Sequence, residues 1–277
     1  MSSEQPDEEV KATFELGRLL SEQGDHAGAR VAYERVIESG HADFAPLAWN
    51  SLGWLLAKQP GLEEEAEAAY REAIESGSSK ALDNLGLLLS DWPGREEEAE
   101  AAHREAIEAG YTDAWRSLGY LLAEQPGREE EAEAAYREAI GAGNSLAAVN
   151  LAELLAEQPG REDEAEQAYR EGAGAGDSRG WNNLGWLLAK QPGREGEAEA
   201  AYREAIAAGN SLAPRNLAVL LGEQPGSEEE AEAICRKAIE AGDTDAWNTL
   251  GRLLAKLPGR EDDAEAAYRE AIEAGNT

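Results

Sequence analysis

The feature that most constrains this chain is a register that repeats every 33 residues. One small residue recurs as Gly53, Gly86, Gly119, Ala152, Gly185, Ala218 and Gly251. A proline runs in step with it, as Pro60, Pro93, Pro126, Pro159, Pro192, Pro225 and Pro258. Two ladders in one phase mark a stacked-repeat architecture, in which each unit is too thin to bury its own apolar face and leans on its neighbours. Length alone would suggest two domains, but an array grows by adding units, so the expectation is one solenoid domain over 1–277. Its eight repeats fall at approximately 6–40, 41–77, 78–110, 111–143, 144–176, 177–209, 210–242 and 243–277.

Each unit reads as helix–turn–helix. In helix A, Trp115, Leu118, Leu121 and Leu122 make one apolar stripe. A hydroxyl ladder (Ser79, Thr112, Ser145, Ser178, Ser211, Thr244) is expected to cap the start of that helix. The proline pushes the residue before it out of the α region and so ends helix A; the glycine after it makes the tight turn. Helix B opens on Glu129, Glu130 and Glu131, favourably placed against the helix dipole. Its apolar face is Ala132, Ala135, Tyr136, Ala139 and Ile140. Opposite lies a Glu133/Arg137 pair, with counterparts from Glu67/Arg71 to Glu265/Arg269, each worth about 0.2–0.5 kcal/mol. An Ala-Gly pair closes helix B. The small column is expected to let helix B of the same unit approach closely.

The first unit differs. Met1–Gln5 reads as a frayed tail, Pro6 opens a helix running to about Gln23, and a second helix ends near Ser39. Gly17 and Gly53 lie 36 residues apart, with the extra residues in His41–Pro46, where Asp43 is expected to cap the next helix and Pro46 to sit in its first turn.

Asp and Glu number 57 against 25 Lys and Arg, a net charge of −32. Such a chain avoids nucleic acid and anionic lipid. The charge either steers a basic partner or simply keeps a long surface in solution, and the regular helical placement of the glutamates favours the second. No apolar run reaches the roughly 18 residues of a membrane helix. The start MSSEQPDEEV lacks the basic and apolar regions of a secretory signal, and a lone Cys235 excludes an internal disulfide. These features point to the cytoplasm.

The order W-x-x-L-G-x-L-L followed by E-A-E-x-x-Y-x-x-A-I resembles the tetratricopeptide repeat over about residues 6–277. The period of 33 replaces that family's 34, and Ala-Gly replaces its terminal proline, as in the related Sel-one-like repeats. The resemblance implies an all-α, right-handed alpha-alpha superhelix of eight helix-turn-helix repeats. It also implies that A helices line a concave groove that binds peptides or partner proteins, with B helices as the convex wall.

Three variable columns of helix A then become groove candidates. Three residues before the small residue stand Asn50, Asp83, Arg116, Val149, Asn182, Arg215 and Asn248. One after it stand Trp54, Leu87, Tyr120, Glu153, Trp186, Val219 and Arg252, and five after it Lys58, Asp91, Glu124, Glu157, Lys190, Glu223 and Lys256. The binding candidates are Asn50, Trp54, Lys58, Arg116, Tyr120, Asn182, Trp186, Lys190, Arg215, Asn248, Arg252 and Lys256. Trp49, Trp115, Trp181 and Trp247 match the family's structural bulky position and are expected in the core. Trp54, Tyr120 and Trp186 are either exposed, and able to hold an extended peptide beside Lys58 or Lys190, or covered by the next unit. Asn84, Asn150, Asn183 and Asn216 fill one slot of the family's carboxylate clamp, but no three successive units complete it.

Nothing in the sequence points to an enzyme, a cofactor or a metal. His26, His41 and His103 are scattered, and His103 and Cys235 occupy the slot of the helix-B tyrosine, which makes them core variants. The Pro-Gly turns precede acidic helix starts that repel phosphate, and the Glu runs lack the loop of a calcium site. The expected role is a non-catalytic scaffold for a protein or peptide. The alternatives are an acidic decoy of a basic protein acting through the convex face, a sensor segment of a larger signalling protein, and an array that self-associates through an uncapped last repeat.

Overall fold

In the computed structural model the described residues, 4–275, form sixteen α-helices and no strand. The protein is all-α, and its chain divides into two compact units, Met1–Asn144 and Ser145–Thr277. The first holds α1 (Glu4–Glu22), α2 (His26–Glu38), α3 (Ala45–Ala57), α4 (Glu63–Glu75), α5 (Ser79–Ser90), α6 (Glu96–Glu108), α7 (Ala114–Ala123) and α8 (Glu129–Gly141). The second holds α9 (Ala147–Ala156), α10 (Glu162–Gly174), α11 (Ser178–Ala189), α12 (Glu195–Ala207), α13 (Ala213–Leu221), α14 (Glu228–Glu240), α15 (Ala246–Leu254) and α16 (Glu261–Glu273). Odd-numbered helices are the A helices and even-numbered ones the B helices. The expected tail falls partly on residues 1–3, outside the described range, and Glu4 and Gln5 already belong to α1. The final residues 276–277, on which the end-to-end expectation rests, also lie outside it.

Within each unit every A helix packs on its own B helix, each B helix on the next A helix, and successive A helices on one another. No two B helices pack directly, so each unit bends toward its A side. The small column sets the hairpin. A Cβ placed on Gly119 would lie 2.6 Å from the Tyr136 ring, and Gly53, Gly185 and Gly251 stand in the same relation to Tyr70, Tyr202 and Tyr268. Each ring therefore lies directly on helix-A backbone, and Tyr70 and Tyr136 are fully buried there. His103 takes this place over Gly86, and Cys235 takes it in the repeat where Ala218 replaces glycine. Both are buried as expected; burial pushes the Cys235 thiol up to about 11. Trp49 and Trp247 pack against the core but are only half-buried.

Turn chemistry explains the joints. Gly61 and its counterparts hold φ near +88°, a conformation that favours glycine, and Leu62 N–H donates to the Gln59 carbonyl at 3.1 Å to close the turn. The first glutamate of helix B turns back onto that glycine: Glu63 Oε1 accepts from Gly61 N–H at 3.0 Å, and Glu96, Glu129, Glu162, Glu195 and Glu261 do the same. At the other end of helix B, Gly77 N–H donates to Ile74 O and Ser78 N–H to Ala73 O, a Schellman closure.

Two expectations are corrected here. The hydroxyl ladder does not cap helix A. Where a side chain caps helix A it lies one residue earlier, Ser78 accepting from Ala81 N–H and Asp177 from Arg179 N–H, while Asn210 and Asp243 accept from N–H groups at the turns that lead into α13 and α15. One residue thus closes helix B with its N–H and opens the next helix A with its side chain. Nor does Asp43 cap α3: Phe44 stands at that position, and the extra segment is held by Phe44 packing on Phe14 and His41.

The Glu/Arg pairs of helix B are also more than surface pairs. Glu67 is only 7 % exposed, bonded to Arg71 and gripped bidentately at 2.8 and 2.9 Å by Arg95 from the start of the next helix B. Arg128, Arg194 and Arg260 grip Glu100, Glu166 and Glu232 in the same way. Bidentate charge-assisted bonds are among the stronger polar contacts, and hydrogen bonding to these arginines holds all four carboxyls below the usual glutamate range. In the seventh repeat Ser227 stands in place of the arginine, and Glu199 is correspondingly more open, its side chain 28 % exposed.

Gly119→Leu should lower stability by ~3 kcal/mol or more, the upper end of overpacking costs, read as a fall in the urea midpoint. Arg128→Ser should lower Tm by roughly 2–4 °C and Ser227→Arg should raise it by a similar amount. Because the Glu100 carboxyl is lowered in the folded state, the grip contributes above the unfolded value of about 4.3 and is lost as pH falls through the folded value. The Tm difference between Arg128→Ser and the parent protein should therefore close on acidification; a difference that persists at pH 2 would rule the grip out as its cause.

Candidate functional site

The bend of each unit places the A helices on its inner side, and the variable columns come to lie there. Trp54, Tyr120 and Trp186 are exposed at 44, 53 and 47 %, so the next repeat does not cover them. Periodicity explains why: the position one after the glycine points away from helix B, whereas the tryptophans four before it sit against the core. Lys58 Nζ lies 3.4 Å over the Trp54 ring and Lys190 Nζ 3.0 Å over the Trp186 ring. Such exposed cation–π contacts are worth about 0.5–1 kcal/mol, weak enough for a ligand to displace.

A polar frame holds each tryptophan. In the first unit Asn84 Nδ2 donates to Asn50 Oδ1 at 2.8 Å; in the second, Asn216 Nδ2 donates to Asn182 Oδ1 at 2.9 Å. Asn50 and Asn182 are buried, so these side chains tie successive A helices together rather than facing solvent. In the second unit the chain continues, Asn182 Nδ2 donating to Asn183 Oδ1 at 3.1 Å and Asn183 Nδ2 to Glu153 Oε1 at 2.8 Å. Burial pushes the Glu153 carboxyl above its usual range, opposed by Arg179 and by the Asn183 bond.

Each frame opens into a cavity. That in the first unit, about 280 Å³, is lined by Trp54, Asn50, Tyr33, Arg18, Glu22 and Lys80 among others. Its counterpart in the second, about 300 Å³, is lined by Trp186, Asn182, Tyr169, Glu153, Glu157 and Asn183 among others. The remaining candidates line neither niche. Arg116 is half-buried with its Nε unpartnered, and Asn248 is half-buried. Arg215 is ion-paired with Asp245 at 2.6 Å and Asp243 at 3.4 Å. Arg252 and Lys256 flank a small cleft with Thr249 and Val219. Asp83, from the same column as Asn50, turns inward and bonds His103 Nδ1 at 2.8 Å. The sequence reading missed Tyr33, Tyr169 and Arg18; the helix-B tyrosine column was legible, but not that its ring edge reaches the inner face.

The sequence model of the tetratricopeptide repeat family matches residues 14–81. Taken together with the helical hairpins and the glycine–tyrosine seam, it shows that the chain has the repeat fold shared by tetratricopeptide and Sel1-like repeat proteins. No curated protein matches it. Among solved structures it is similar to a Sel1 repeat protein from Oxalobacter formigenes, with 24 % identity, a TM-score of 0.59, and coverage of 82 % of this chain and 99 % of that one. It is also similar to c5321, a protective antigen of uropathogenic Escherichia coli with an SLR fold, at 22 % identity, a TM-score of 0.56 and coverage of 96 and 62 %. Yeast Tom70 aligns at 17 % identity with a TM-score of 0.61 over 98 % of this chain and 57 % of that one. These likenesses are of fold. Repeat proteins of the tetratricopeptide/Sel1-like class are generally protein-interaction scaffolds. Among the described residues no helix is long and apolar enough to cross a membrane.

Asn216→Ala should cost about 1–3 kcal/mol, because it removes the Nδ2 donor to the buried Asn182 Oδ1. Urea unfolding measures it, and an unchanged midpoint would show that water replaces the bond without loss.

Proposed function

We propose that this repeat protein is a non-catalytic scaffold that holds an extended segment of a protein partner on its A-helix faces. The observation that supports the reading best is the pair of exposed tryptophans, each set over a cavity by a cross-repeat asparagine bond and each carrying a displaceable lysine. Large aromatics in preformed recesses are the anchors that dominate binding energy at protein interfaces. Asn50 and Asn182 position these anchors, while Trp54, Lys58, Tyr120, Trp186, Lys190, Arg252 and Lys256 meet the partner. Arg116, Arg215 and Asn248 shape the edges. The helix-B wall, with its glutamates engaged by arginines, serves as support.

The test is a pulldown with the full chain as bait. Trp54→Ala and Trp186→Ala should each reduce partner recovery several-fold, and glutamine at Glu72, Glu138 and Glu171 on the B helices should leave it unchanged. Recovery that ignores the tryptophans but collapses at moderate salt would instead support an acidic decoy acting through the B helices.

A further inference from the structure

The two niches are built on one frame and differ in charge. Trp54 and Trp186, Lys58 and Lys190, Asn50 and Asn182, and Asn84 and Asn216 correspond at a spacing of four repeats, with matching bonds. Beside that frame, on the A helix of the preceding repeat, the residue after the small one is Arg18 in the first unit and Glu153 in the second. Lys80 adds a second cation to the first niche, where the corresponding residue of the second unit is Leu212; the carboxylates Glu22 and Glu157 hold equivalent places and are common to both. In the second unit the amide chain Asn216–Asn182–Asn183 runs with its donors toward Glu153. That orientation fixes the carboxylate at the cavity wall, where it shares the space with the Trp186 ring and Tyr169.

We propose that the niche at Trp186 is a receptor for an arginine or lysine side chain of a basic partner segment, with Glu153 as counter-ion and the Trp186 ring as the apolar wall. The reading rests on the scaffold function above and names its ligand class. Lys190 is the chain's own cation on that ring, its ammonium 3.0 Å from the centroid. A guanidinium is planar and less strongly hydrated than an ammonium, so a partner arginine displaces it and reaches Glu153 at the same time. The chain's net charge of −32 steers such a segment inward. The niche at Trp54 has Arg18 and Lys80 where Glu153 and Leu212 stand, and its carboxylate Glu22 is already ion-paired with Arg18 at 3.3 Å, so the same ligand is disfavoured there. Arg179, held by Asp177 at 2.7 Å, also acts on Glu153 and keeps the niche from being uniformly negative.

The experiment is fluorescence anisotropy on the full chain with three labelled probes: acetylated and amidated (Ser-Arg)4, its citrulline counterpart, and (Ser-Glu)4. The arginine probe should bind, and the citrulline and glutamate probes should not. Glu153→Gln and Trp186→Ala should each weaken binding roughly tenfold or more, the size expected for removing a charge-assisted bond or an anchor. Lys190→Ala should tighten it by vacating the ring. Trp54→Ala and Glu171→Gln, the latter a matched loss of charge on helix B, should change it less than twofold. Equal weakening by Glu171→Gln and Glu153→Gln, or no arginine binding at millimolar concentration, overturns the proposal. If a glutamate or citrulline probe binds instead and is lost in Trp54→Ala, this assignment fails while the scaffold reading stands. If no probe binds and the pulldown ignores both tryptophans, both fail.

Discussion

The structure depends on one contact, a tyrosine ring of helix B packed directly against a glycine of helix A. No side chain fits between them, so the two helices of a hairpin approach at a distance set by backbone and ring alone. Gly53, Gly119, Gly185 and Gly251 reproduce this contact, and Gly86 does so with an imidazole. The hairpins are then nearly congruent, and congruent hairpins stack in register. Corresponding positions of successive A helices fall into line within each unit, which is what converts variable residues into a continuous surface. A larger side chain in the seam would change the hairpin itself, and with it the alignment of the columns.

Electrostatics decides how so acidic a chain tolerates its own stacking. The first glutamate of nearly every helix B accepts from a turn glycine N–H, and the glutamate four residues after it is in most repeats gripped by an arginine 28 residues on. Direct packing links B helices only through the A helix between them, so these long arginines are the main ties on the outer side. The acidic groups thereby become joints between repeats, and the replacement of the arginine by Ser227 loosens one of them. Exposed ion pairs contribute little; these matter because the glutamate is buried and both its oxygens are engaged.

On the inner side the same constancy of frame serves recognition. The asparagine bonds that cross between repeats are polar contacts within a mostly apolar seam, and they line the same cavities as the tryptophans. What differs between the niches is charge, Arg18 and Lys80 in one against Glu153 and Leu212 in the other, set beside a matching tryptophan and a matching cross-repeat asparagine bond. A duplicated frame with an altered wall is an economical way for a repeat array to acquire a second specificity, since the cross-repeat asparagine bond is kept in both.

By itself the sequence determined the period, the helix–turn–helix unit, the close approach of helix B at the small column, the turn glycines and the buried fate of His103 and Cys235. These follow from rules that act within a hairpin: periodicity, backbone sterics and volume. Only the tertiary structure decided which residue caps helix A, because Ser79 and Ser78 differ by one step and the Schellman closure of the preceding helix selects the earlier one. Only it showed that Glu67 belongs to Arg95 rather than to Arg71 alone, since a contact across 28 residues depends on the stacking angle between repeats. The exposure of Trp54 and Trp186, left open by the pattern, was settled in the same way: whether a neighbouring repeat covers a side chain is a property of how hairpins pack, which no single hairpin encodes.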